Sequence, residues 1–276
     1  MNQQTLGYHP GNTFLHRLNA TAKLLFLLLV TIATMTTYDT RFLAFVGITS
    51  MLLFKLGNIQ WHQISFVVKF ILFFSVLNIL AIYLFEPEYG VSLYGTRHVI
   101  WEGWGRFTLT QEECFYLGNV ALKYFSTIPL ALTFLLTTNP SSFASSLSKL
   151  GVSYKISYAV ALALRYIPDI QEEFFSISQA QQARGLEMSK KGKISQRIKG
   201  MSQILLPLIF SSLDRIETIS TAMELRRFGQ KKKRTWYVAE PFKASDYLVI
   251  VLGISLFGMT LLLFHLNGGR FYNPFQ

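Results

Sequence analysis

The sequence predicts an all-α integral membrane protein: about five transmembrane helices, and one polar domain made of two long crossed amphipathic helices with a shorter helix before them. Three observations carry that reading. Hydrophobic residues make up 51% of the 276 and charged residues only 15%, against roughly 25% charged in a soluble domain, and the mean hydropathy is +0.33. The apolar residues gather into runs at about 24–37, 42–56, 66–85, 115–137 and 247–266. The basic residues gather as well: Arg184, Lys190, Lys191, Lys193, Arg197, Lys199, Arg215, Arg226, Arg227, Lys231, Lys232, Lys233 and Arg234 are half of the 26 Lys and Arg.

A net charge of +11 would raise nucleic-acid binding in a soluble protein. Concentrated between Arg184 and Arg234, the charge instead marks a cytoplasmic face under the positive-inside rule, and no nucleic-acid partner is expected. Cys114 is the sole cysteine, so no intrachain disulfide and no multi-cysteine metal site can form. It is expected to be a small buried apolar residue. His16, Arg17 and Lys23 precede the first apolar run without a small-residue cleavage site after it, so that run is expected to stay as a signal anchor.

Taken in order, the first two runs are shorter than the roughly 20 residues that cross a bilayer core, and they could form a shallow hairpin with its tip at Tyr38-Asp39-Thr40-Arg41. Loop charges test the count. His16, Arg17 and Lys23 put the N-terminus in the cytoplasm; five alternating crossings then leave Lys55 and Lys69 inside and the loop 86–113, with five Glu against two Arg, outside. The basic block falls inside again and the C-terminus outside. The domains so defined are an N-terminal transmembrane domain over 1–139, a cytoplasmic domain over 140–234, and a C-terminal helix with an external tail over 235–276. The external loop carries Gly90, Gly95, Gly103, Gly105, Trp101 and Trp104 and reads as an ordered cap or a flexible turn-rich connection.

Within 140–234 the apolar residues stop forming runs and fall on stripes. Asn139-Pro140-Ser141-Ser142 is a helix start, with Asn139 or Ser141 as cap, for a short helix through Leu150. Ile167, Ile170, Phe174 and Ile177 recur at steps of three and four, as do Ile198, Met201, Leu205, Leu208, Ser212, Ile216, Ile219 and Met223, predicting two amphipathic helices separated by a turn over 185–192. Pro168 and Pro207 sit inside them and should bend each locally. Both stripes serve packing between the two helices or a hydrophobic partner, and Ala159, Ala161 and Ala163 would permit close approach.

The two helices end alike, in Ala183-Arg184-Gly185 and in Leu225-Arg226-Arg227-Phe228-Gly229. Glycine after a helix takes the left-handed conformation that terminates it and leaves the preceding arginine at an exposed end. Arg226 continues the face of Ile219 and Met223. A guanidinium so placed either complements the helix dipole, worth about 0.3 to 1 kcal/mol, or grips a carboxylate or a row of carbonyls on a partner with its planar fork.

At these residues the chain resembles the T component of energy-coupling factor transporters, the family that includes the membrane protein of cobalt importers. Leu15-His16-Arg17-Leu18-Asn19-Ala20-Thr21-Ala22-Lys23-Leu24 is similar to the family's opening pattern. The stretch from Leu150-Gly151-Val152 to Ala161-Leu162-Ala163-Leu164-Arg165-Tyr166-Ile167-Pro168 resembles its first coupling helix, and Ala183-Arg184-Gly185 its first Ala-Arg-Gly signature. Leu225-Arg226-Arg227 stands at the second signature, keeps only the central arginine, and moves the helix-ending glycine to Gly229. The resemblance implies a non-catalytic subunit in a prokaryotic plasma membrane. Ala183, Arg184, Gly185, Leu225, Arg226, Arg227 and Gly229 would dock two ABC ATPase subunits, which hold the ATP and magnesium. Ile167, Ile170, Phe174, Ile177, Met201, Leu205, Leu208, Ile216, Ile219 and Met223 would form the coupling surface, between the helices or toward a small substrate-binding S component that captures a vitamin or metal ion.

The residues agree with that division of labour. Gly192-Lys193-Ile194 fails as a phosphate loop, for want of a glycine five residues earlier and of Ser or Thr after the lysine. His9, His62, His98 and His265 are scattered with no ligand spacing, so no metal or other cofactor is expected on this chain. A conventional ABC permease is the alternative, since Gly185 and Ile204-Leu205-Leu206-Pro207 faintly resemble its coupling loop, although the spacing differs. A membrane-embedded enzyme would need motifs such as His-Glu-x-x-His or paired intramembrane carboxylates, which the sequence lacks.

Overall fold

The computed structural model describes residues 11–59, 61–102, 107–186, 194–231, 235–237 and 240–275. Gly103, Trp104, Gly105, Lys190, Lys191, Gly192, Lys193 and the run Lys232 to Arg234, singled out above, lie outside the described residues. The helices are α1 (Phe14–Arg17), α2 (Ala20–Thr36), α3 (Thr40–Leu56), α4 (Trp61–Phe85), α5 (Tyr89–Tyr94), α6 (Gln111–Thr137), α7 (Pro140–Lys149), α8 (Tyr154–Ala183), α9 (Ile194–Leu225) and α10 (Ala244–Leu266). A two-stranded antiparallel hairpin of β1 (Val99–Glu102) and β2 (Thr108–Thr110) interrupts the expected all-α architecture. The chain divides into two units, one of Asn139–Ala239 and one of His9–Thr138 with Glu240–Gln276.

In the second unit α4, α6 and α10 are long and apolar enough to cross a bilayer. The 17-residue helices α2 and α3, at 1.5 Å per residue, reach only about 25 Å. These two do not close on each other as a hairpin. Packing instead joins α2 to α10 and α3 to α6, and Val30, Ala33, Phe42, Val46 and Leu130 form the core between them. Gly47 and Gly253 permit the approach: a Cβ at Gly47 would meet Phe125 and Ser126 at 3.1 Å, and one at Gly253 would meet Phe26 at 3.2 Å. The Ser126 hydroxyl on α6 reaches the Leu43 carbonyl of α3 at 2.8 Å, the kind of polar tie that holds helices together in lipid. Helix α4 leaves Phe66, Phe70, Phe73 and Phe74 exposed, an outward apolar face suited to hydrocarbon.

At one end of this unit the α2–α3 turn, the connection from α4 to α6 and the C-terminal tail meet in an aromatic cluster. Tyr38 stacks on Phe271 at 4.6 Å, its N–H donates to the Arg270 carbonyl, and Asn267 donates to Asp39 at 2.8 Å. Tyr94 and Tyr116 are buried beneath them, with Phe275 packed alongside. Lys123 Nζ donates to the Met35 carbonyl at 2.9 Å and sits 3.2 Å over the Tyr38 ring, so a buried cation is satisfied by a carbonyl and a π face.

The connection over 86–113 is an ordered cap rather than a flexible one among its described residues. Glu112 accepts from the His98 N–H at 3.1 Å and from Thr96 at 2.9 Å, and Glu113 accepts from the Gly90 N–H at 2.7 Å. Two carboxylates that the sequence offered only as loop charge are therefore buried structural acceptors, placed at the positive end of α6. Glu88 accepts from Thr108 and Arg97, and the Thr108 hydroxyl, with smaller help from Arg97, holds its carboxyl below the usual carboxylate range. Because Glu112, Glu113 and Tyr116 take the inward face of α6, Cys114 points outward and is exposed, correcting the expectation of a buried thiol.

In the first unit Asn139 caps α7, accepting from the Ser141 N–H at 3.0 Å, and α7 packs on the start of α8 around the buried Ala144, Tyr154 and Ser157. Ala159 and Ala163 are exposed rather than packed. The long helices α8 and α9 run antiparallel: Tyr154 and Tyr158 meet Phe228, Tyr166 meets Arg215, and Glu173 meets Ser211.

Candidate functional site

Both long helices finish in the same hydrogen-bonded motif. After α8, the Gly185 N–H donates to Gln182 O at 3.0 Å and the Leu186 N–H to Gln181 O at 3.1 Å; after α9, the Arg227 N–H donates to Glu224 O at 2.8 Å and the Phe228 N–H to Met223 O at 2.9 Å. Each is the Schellman ending, in which a residue in the left-handed conformation turns the chain and satisfies the last carbonyls. Arg184 therefore corresponds to Arg226, and Gly185 to Arg227.

One sequence expectation is corrected here. The left-handed position after α9 is held by Arg227 itself, at φ 53°, and Gly229, at φ 96°, makes a second reversal two residues later. A non-glycine residue in that conformation costs about 1–2 kcal/mol. Phe228 offsets the strain by packing its ring against Tyr158, tilted at 4.8 Å, and edge-on against Tyr154 at 5.5 Å.

Ala183, Arg184, Leu225, Arg226 and Arg227 are all exposed, Leu225 to 81%. The two arginine ends are not brought together. Since α9 finishes beside the first turns of α8, Arg226 lies about 40 Å along α8 from Arg184 at 1.5 Å per residue. The unit thus offers two separate, chemically equivalent ends.

The seam between α8 and α9 is part apolar and part charged. Arg215 reaches Glu173 at 3.1 Å and Asp169 at 3.9 Å, with its guanidinium 5.8 Å from the Tyr166 ring, and Ser211 donates to the same Glu173. Two clefts open along it: one of about 780 Å³ lined by Asp169, Glu172, Ser176 and Thr218, and one of about 480 Å³ lined by Leu162, Ala163, Ile216 and Met223. The helices are splayed apart around these clefts rather than fully interdigitated.

The predicted stripe on α9 divides. Leu208 is buried and Ser212, Ile219 and Met223 half-buried, whereas Ile198, Met201, Leu205 and Ile216 are exposed; Ile204, which the stripe did not include, is buried. On α8, Ile167, Phe174 and Ile177 are half-buried and Ile170 is exposed. The seam shares only part of that stripe, because it runs from Ile204 and Leu208 through polar Ser211 and Arg215 to Ile219 and Met223. The Asp169, Glu173 and Arg215 charges were the missed signal. The opposite side of α9 bears a second apolar surface that the stripe reading also missed, where Leu206, Ile209, Phe210 and Leu213 are all exposed.

A known family, described as cobalt transport protein (CbiQ), matches residues 11–237. The chain is 30% identical to the energy-coupling factor transporter transmembrane protein EcfT of Streptococcus equi subsp. equi, over 93% of this chain and 97% of that one. It is 29% identical to the EcfT proteins of Staphylococcus aureus, over 90% and 92%, and of Exiguobacterium sibiricum, over 96% and 99%. Apolar helices of membrane length together with these relatives define a membrane transport protein. The chain belongs to the CbiQ cobalt transport protein family.

Proposed function

We propose that this chain is the transmembrane coupling subunit of an energy-coupling factor importer, passing ATP-driven motion from two ABC ATPase subunits to a small substrate-binding S component that captures a vitamin or other micronutrient. The observation that carries the reading is the pair of equivalent arginine ends, exposed and some 40 Å apart along α8. Two copies of a similar ATPase need two similar sockets, and a guanidinium fork beside an exposed leucine combines the charge and the apolar contact of a docking hot spot. ATP and magnesium belong to those partners; this chain contributes no catalysis.

In this reading residues 140–234 are the cytoplasmic coupling domain, residues 1–139 and 235–276 lie mainly in the bilayer, the N-terminus is cytoplasmic and the C-terminus external. The aromatic cluster and the cap over 86–113 then face outward, which agrees with the excess of Glu in that loop. The splayed α8–α9 pair is the movable element, since the clefts on either side of the Arg215–Glu173 clasp leave it room for a second arrangement. The exposed face of Leu206, Ile209, Phe210 and Leu213, with Met201, Leu205 and Ile216, receives the S component.

The test is co-purification. Arg184→Ala or Arg226→Ala should each cost about 2 kcal/mol of docking, roughly thirtyfold in affinity, and the double variant should lose both ATPases while remaining in the membrane fraction. Arg226→Lys should restore little, because an ammonium keeps the charge without the fork. A double variant that retains its ATPases at wild-type stoichiometry refutes the reading.

A further inference from the structure

The opening segment Leu15 to Leu24 was singled out by sequence, and the two arginine ends leave its polar residues unexplained. The structure assigns them a mechanical task. Asn19 caps α2 by accepting from the Thr21 N–H at 2.9 Å, its own N–H donates to Asp246 at 2.8 Å, and its side-chain amide donates to the Glu240 carbonyl at 3.0 Å. Lys23, one turn further along α2, donates to the Thr137 carbonyl at 2.8 Å. Asp246 also caps α10, accepting from the Lys243 N–H at 2.7 Å. Asn19, Lys23, Thr137 and Asp246 are all buried.

The partners are what give the arrangement its meaning. The boundary between the two units falls after Thr138 and again before Glu240. Lys23 holds the chain just before its first passage out of the membrane unit, and Asn19 holds it where it returns. We infer that Asn19 and Lys23 are positioning residues that anchor both passages to α2, so that displacement of the polar unit is delivered to the membrane helices there. This rests on the coupling reading above.

Two physical features favour a grip of this kind over a simple helix cap. The Thr137 carbonyl belongs to the last turn of α6, where backbone acceptors lack helical partners and an ammonium also complements the dipole. A buried lysine is costly and is seldom spent where an apolar residue would do. Beyond the clasp, α2 lies close against α10 at Gly253, so an anchored passage moves two helices together.

The test uses the full complex with its ATPases in lipid nanodiscs, in a Cys114→Ser background, and two spin-label pairs. The first pair, Gln179→Cys with Gln203→Cys, reports on α8 against α9. The second, Leu135→Cys with Leu248→Cys, reports on the end of α6 against the start of α10. Adding MgATP and vanadate should shift the distance in both pairs of the otherwise native protein. In Lys23→Met, which keeps length and burial, and in Asn19→Ser, which keeps the cap but cannot reach Glu240, the first pair should still shift and the second should not. A merely structural role would lower the yield of complex and leave the second shift intact in what assembles. Retention of that shift in both variants overturns the inference, as does its absence from the native protein; absence of the first shift from the native protein overturns the coupling reading itself.

Discussion

Arg227 shows how a single backbone torsion separates two roles that the sequence runs together. The Leu225-Arg226-Arg227 stretch has two arginines, and the hydrogen bonds to Glu224 and Met223 give them different tasks: Arg226 caps, Arg227 turns. Replacing Arg227 by glycine should therefore stabilise the end of α9 by about 1 kcal/mol through relief of the left-handed strain, seen as a higher unfolding midpoint in detergent. Gly185→Ala should lose about the same amount, since the same conformation is required there. If both substitutions leave the midpoint unmoved, the shared ending does not stabilise either helix. That Arg184 and Arg226 match was legible in the sequence; that Arg227 stands where Gly185 stands was not, because an arginine carries no mark of a positive φ.

At the scale of an element, α9 is apolar on two sides and only one of them is buried. Ile204 is fully buried in the seam and Phe210 is 62% exposed on the far side, so truncating each asks a different question. Ile204→Ala should cost about 2–4 kcal/mol by leaving a cavity, whereas Phe210→Ala should change stability by less than about 0.5 kcal/mol. On the proposed function only Phe210→Ala should weaken retention of the S component while sparing the unfolding midpoint. Equal losses of stability would place both residues in one core. Periodicity found α8 and α9 and the short helix before them, since steps of three and four and the Asn139 cap are local signals. It gave no sign that Ser211 and Arg215 belong to the seam of α9, because they are acceptable there only once Glu173 and Asp169 arrive from α8.

For the whole molecule, the grouping of the Tyr38 turn, the cap and the C-terminal tail at one end of the membrane unit makes a topological prediction. With Cys114 replaced by serine, a membrane-impermeant thiol reagent should label Ser92→Cys in intact cells and Glu224→Cys only after permeabilisation. The reverse pattern would invert the proposed orientation. The tail does more than end the chain. Removing residues 267–275 would strip Tyr38, Tyr94 and Asp39 of their Phe271, Phe275 and Asn267 partners, so a markedly lower unfolding midpoint of the truncated protein is expected, and an unchanged one would make the strap dispensable.

Composition, the apolar runs and the basic block were sufficient by themselves to define a helical membrane protein with a polar helical segment, because the bilayer imposes its demands on stretches of some 20 neighbouring residues. The Ala-Arg-Gly ending was equally local. Which carboxylates are buried in the cap, which face of α9 is covered and how Lys23 finds the Thr137 carbonyl depended on groups remote in the chain, with Asn19 and Asp246 lying 227 positions apart. Hydrogen bonds and ion pairs of that kind exist only after the helices have assembled, and their energies are therefore decided by tertiary structure.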